Sequence, residues 1–121
     1  GEQERRSVAA QRVFPGDELR YTITFANHGG ETIDAGVLVI TNPVPNNTVY
    51  LANSAGGSGT DVVFSVDGGD TWGAPDELVI TGDDAQSRRA RAEDYTHIRW
   101  SFRPALGAGQ ESSVYFRVRL P

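Results

Sequence analysis

The residues with the most chemical potential in this 121-residue chain fall between Ser65 and Trp72. Ser65-Val66-Asp67-Gly68-Gly69-Asp70-Thr71-Trp72 brings carboxylates, hydroxyls, glycines and an indole into one short run. Short oxygen-bearing side chains reach the backbone a few residues further on, so their first use is to close a turn. Ser65, Asp67, Gly69, Thr71 and Trp72 are therefore read as a structural turn, in preference to a glycan contact through Trp72. Acids continue through Asp76, Glu77, Asp83 and Asp84. Calcium takes six to eight oxygens and often uses such loops. The spacing is not that of an EF-hand, and solvated carboxylates are the simpler account. No metal is expected, and Asp67, Asp70, Asp83 and Asp84 are the set that would hold calcium if one bound. Arg88, Arg89 and Arg91 can clamp phosphates or carboxylates, sialic acid included. Asp84, Glu93 and Asp94 lie beside them, so self-neutralisation in a mobile loop is the expectation. His28 falls in a turn and His97 on an outward strand position. No G-x-S-x-G nucleophile elbow is present. The absence of cysteine removes thiol catalysis, disulfides and cysteine zinc sites. The reading is a protein that is not an enzyme and uses no cofactor.

The elements that must position these residues are strands. Fourteen glycines and six prolines among many Val, Thr, Tyr and Phe residues indicate short strands joined by tight turns. The organising stretch starts at Pro15-Gly16-Asp17, a turn. Leu19, Tyr21, Ile23 and Phe25 then alternate with polar residues up to Asn27, the period of a half-buried strand. Ile98, Trp100 and Phe102 repeat the pattern, as do Val114, Phe116, Val118 and Leu120; Trp100 is expected to fill the core. Arg20, Arg99, Arg103, Arg117 and Arg119 then face outward, opposing carboxylates or discouraging edge pairing. Val62, Phe64 and Val66 are expected inward in a strand over 61–67. Val37-Leu38-Val39-Ile40 is apolar on both faces and reads as a central strand or one lying under a loop. Further strands are expected at 7–14, 48–53 and 77–81, with a long connection over 82–94. Together these predict an all-β, antiparallel sandwich of seven to nine strands. Residues 1–7 are expected to be a linker or cloning remnant, and 8–121 one domain.

A net charge of −5 disfavours nucleic acid as a partner. All eleven basic residues are arginine, so lysine–asparagine isopeptide crosslinks cannot form. No apolar run approaches the roughly 20 residues that span a bilayer, and direct membrane insertion is not expected. With no methionine, the chain reads as a piece of a longer secreted protein.

Two resemblances follow from these residues. Ser65 to Trp72 matches the Asp-box pattern, S-x-D-x-G-x-T-W, a hairpin turn of sialidases and other propellers. One copy in a chain this short cannot build a propeller. Pro15 to Asp17, Tyr21 to Ile23, Asn27 to Gly29, Val37 to Asn42 and Thr48 to Tyr50 resemble the conserved repeat domain of bacterial and archaeal surface proteins. That family is catalogued as domain of unknown function number eleven. The closing strands, THIRWSF and ESSVYFRVRL, extend the resemblance over about residues 8 to 120. Asn42-Pro43-Val44-Pro45 departs from the family's Asp-x-x-Pro. The resemblance implies an immunoglobulin-like sandwich serving as a structural or adhesive module, extracellular, cell-surface or periplasmic. Its partners would be neighbouring domains, surface proteins or glycans. A carbohydrate-binding module is the alternative, and needs Trp72, Tyr50 or Tyr95 on an exposed platform.

Overall fold

The computed structural model describes residues 2–8 by their backbone, and 14–81 and 86–121 in full. The described residues form nine strands: β1 (Glu2–Val8), β2 (Glu18–Asn27), β3 (Val39–Pro43), β4 (Val49–Tyr50), β5 (Thr60–Ser65), β6 (Val79–Thr81), β7 (Ser87–Arg89), β8 (His97–Phe102) and β9 (Glu111–Arg119). A 3-10 turn at Ala92–Asp94 precedes β8. All pairings are antiparallel, in a four-stranded sheet β1-β2-β9-β4, a three-stranded sheet β3-β8-β5 and a hairpin β6-β7.

The alternating residues decide how the sheets face. Ile23 and Phe25 of β2 and Val114, Phe116 and Val118 of β9 turn inward from one sheet. Ile40, Phe64, Ile98, Trp100 and Phe102 turn inward from the other, and all join one core. Phe25 meets Phe102 edge-on at 5.4 Å between ring centres, and Trp100 lies 5.9 Å from Phe116. Such pairs across the two sheets make the molecule a β-sandwich. Trp100 fills the centre at 0% exposure, although its Nε1 lacks a hydrogen-bond partner among the described residues. Leaving that N–H unpaired costs about 1–3 kcal/mol, which burial of the indole must outweigh.

The order within the sheets is nested. The first strand lies beside the second and the third beside the penultimate, as in an immunoglobulin sandwich. The place between the second and fourth strands, held by the fifth in the constant-type immunoglobulin order, is taken here by the closing strand β9. Nesting β2 with β9 and β3 with β8 is the order of a long hairpin wrapped over itself, as in a jelly roll.

Three sequence expectations shift. A strand occupies Glu2–Val8, where a linker was expected, and it pairs along β2 from Asn27 to Tyr21. Of the expected strand over 7–14, residues 9–13 lie outside the described residues. Val37 to Ile40 does not form a central strand: among the described residues β3 pairs only with β8, leaving Val37 and Val39 64% and 47% exposed. A run apolar on both faces reports hydrophobicity, not the number of neighbours. Finally, Ser87–Arg89, placed within a connection, forms β7 by pairing with β6.

Candidate functional site

Strand β5 ends in the fully buried Ser65, and Phe64 exchanges two backbone hydrogen bonds with Gly73, 2.9 and 3.0 Å. The chain between must reverse, and it does so through Gly68 and Gly69 at φ of 78° and 97°. Only glycine adopts these angles without strain. The side chains then satisfy the turn's own donors. Ser65 Oγ accepts from Gly69 N at 2.9 Å and donates to Asp67 Oδ1 at 2.6 Å. Asp67 Oδ1 also accepts from Thr71 N at 3.0 Å, and Oδ2 accepts from Thr71 Oγ1 at 2.6 Å. These donors, the Ser65 hydroxyl first and the Thr71 hydroxyl next, hold the Asp67 carboxyl well below the usual carboxylate range.

Thr96, just before β8, fastens this turn to the sandwich. Its N–H donates to Ser65 O at 2.8 Å, and its Oγ1 accepts from Gly68 N at 3.0 Å. Trp72 is half-buried on the outer face of the three-stranded sheet. The Arg99 guanidinium sits 4.0 Å above its ring, and His97 meets it edge-on at 6.3 Å. Arg99 Nε also donates to Thr41 Oγ1 at 3.2 Å. Trp72, Asp67, Thr71, Glu77 and Val79 border a groove of about 550 Å³.

The structure thus brings Ser65, Asp67, Gly69, Thr71 and Trp72 into one turn. It separates the aromatic residues of the expected platform. Tyr50 and Tyr95 are buried at 2% and 8% exposure, and both rings pack on Phe64. They face inward because β4 and the 3-10 turn close the open side of the core, so neither can meet a sugar beside Trp72. Among the described residues no group of three or more His, Asp or Glu is placed to hold a metal. Asp83 and Asp84 lie outside the described residues. Glu77 Oε1 instead accepts from Ala74 N at 2.7 Å.

Arg88 pairs with Asp94 through both guanidinium nitrogens, at 2.8 and 3.1 Å. This pairing, more than any other contact, lowers the Asp94 carboxyl below its ordinary range. Arg91 reaches Glu93 at 3.6 Å. Arg88 and Arg89 therefore sit on a paired hairpin, and Arg91 caps the 3-10 turn that follows it. Arg117 and Arg119 share Glu18, Arg103 pairs with Asp61, and Arg20 lies over Tyr115.

Asn27 has a larger role than its place at a strand end suggests. Fully buried, it donates through Nδ2 to Glu31 O at 2.7 Å and Leu106 O at 2.9 Å, while Oδ1 accepts from Gly29 N at 2.9 Å. One side chain ties the loop after β2 to the loop before β9. The sequence marks this position only as an Asn preceding His28-Gly29-Gly30. Comparison with family models, with curated proteins and with solved structures returned no match.

Proposed function

We propose that this domain is a non-enzymatic structural or adhesive module of a bacterial cell-surface or secreted protein. The observation that carries the reading is the use made of its most reactive-looking residues. Asp67, Ser65 and Thr71 direct their oxygens into their own turn, so their hydrogen-bonding capacity goes into shape. The strand layout suits a spacer. β1 starts opposite Asn27 and β9 ends opposite Glu18, at the two ends of β2. Between them the chain crosses about 30 Å, from about 3.3 Å per strand residue. The immunoglobulin-like repeat family of surface proteins, resembled by the turn and strand motifs, is the class that fits this role.

The test is external proteolysis of intact source cells, followed by immunoblotting with an antibody to this domain. Loss of the signal before lysis, or its presence in the culture medium, is expected. Protection until the cytoplasm is opened would overturn the reading.

A further inference from the structure

The chain's five asparagines differ in what surrounds their side chains. Asn27 is buried and bonds two loops together, and Asn42 is buried with its Nδ2 on Pro43 O. Asn46, Asn47 and Asn53 are exposed. Of the five, Asn46 alone begins the run N-x-T, as Asn46-Asn47-Thr48, with no proline in the middle or after Thr48. That run is the acceptor pattern for N-linked glycans on exported chains. Three residues match such a pattern readily by chance, so placement in the fold has to decide whether this one is usable.

The placement suits an acceptor. Asn46 and Asn47 form the corner of the turn that carries the chain from β3 in one sheet to β4 in the other. Asn47 takes a φ of 61°, which asparagine adopts more readily than most residues. Among the described residues the Asn46 side chain makes no hydrogen bond, so its amide stands unengaged at the corner. Thr48 Oγ1 donates to Pro45 O at 2.7 Å, a bond confined to the turn itself. Opening that one turn frees the hydroxyl while both flanks stay anchored. Val44 N donates to Thr96 O at 2.8 Å on one side, and Leu51 N to Arg117 O at 3.0 Å on the other.

The surroundings give a glycan a physical use. From residue 35 to residue 60 the chain carries no charge, although the whole has a net charge of −5. Val37, Val39 and Val49, three of the five large apolar side chains exposed among the described residues, lie in this stretch. Charged side chains are what normally keep such a surface hydrated. A sugar chain on Asn46, near the middle of the stretch, supplies hydration without charge.

We propose that Asn46 is the attachment site of an N-linked glycan, donated by a sugar carried on a polyprenyl phosphate. The Asn46 amide nitrogen bonds to the anomeric carbon, and the bond from that carbon to the phosphate oxygen breaks. The lipid phosphate leaves with the electron pair, and the amide proton passes to a base of the transferase. The site rests on the extracellular reading of the domain, because this transfer acts on exported chains.

Mass spectrometry of the full-length protein, recovered from the surface or medium of its source cells, tests this. Chymotrypsin cuts after Leu38 and Tyr50, releasing residues 39–50 as one peptide. The expected result is a peptide heavier than its sequence by one or more sugar residues. The added mass should vanish in Asn46→Gln and Thr48→Val. It should persist in Thr48→Ser, which restores the hydroxyl, and in Asn47→Gly, which keeps the turn and removes the neighbouring amide. An exported peptide of unmodified mass would overturn the site and leave the extracellular reading standing. Added mass surviving in Asn46→Gln or Thr48→Val would also overturn it. Absence of the protein from surface and medium alike would overturn both.

Discussion

Asn27 and Asp67 each close a turn by hydrogen-bonding backbone with a short polar side chain, but at different depths. Asp67 is on the surface, and its partners lie within four residues along the chain. Asn27 is buried, and one of its partners is Leu106, far along the chain. Water can replace what Asp67 supplies. It cannot readily enter to replace what Asn27 supplies, because the surrounding loops are packed over it. The same chemistry therefore shapes a surface turn at one site and holds two loops to the sandwich at the other.

The largest effect is expected from Asn27→Ala. Removing three hydrogen bonds at a buried junction should cost about 3 kcal/mol, measured by urea denaturation, with the loops at 28–33 and 106–110 becoming protease-sensitive. A loss no larger than that of a surface substitution would break the contrast. Ser65→Ala comes next. Its buried hydroxyl accepts from Gly69 N and Asp67 N and donates to Asp67 Oδ1, so about 1–2 kcal/mol is expected by the same measurement.

Acid sharpens the comparison, because only one of the two groups titrates. Asp67 and Asp94 have folded pKa values lowered by their partners. Their contribution is complete above the unfolded aspartate value of about 3.9, and is lost as pH falls through the folded values. Melting temperature should thus decline below about pH 4, with a shallower decline in Asp67→Asn. The smallest effect belongs to the exposed Arg103–Asp61 pair. Asp61→Ala should change stability by less than about 0.5 kcal/mol, and less still in high salt.

How much of this was readable before folding depends on the residue. β2, β8 and β9 are half-buried, so burial imprints a period of two on Ile23 and Phe25, Ile98 and Trp100, and Val114 and Phe116. β7 carries no such period, because Ser87, Arg88 and Arg89 are all exposed and held by backbone pairing to β6. Val37 to Ile40 misleads in the opposite direction, since an apolar residue on an open edge looks like one in a core. The Ser65–Trp72 turn could be read because its bonds are local. The Asn27 junction could not, because Leu106 is brought to it only by the sandwich. Tyr50 and Tyr95 show the same limit: a tyrosine's sequence neighbours do not say whether its ring faces a ligand or a core.

The central claim is that the polar residues of the Ser65–Trp72 turn serve the fold. Amide hydrogen exchange at Gly69 and Thr71, followed by NMR with and without millimolar calcium or soluble glycans, tests it most directly. Both amides should be protected in the unliganded protein, unchanged by any addition, and exposed to exchange in Ser65→Ala and Asp67→Ala respectively. Amides that exchange freely until calcium or a glycan is added would show a ligand site in place of a brace.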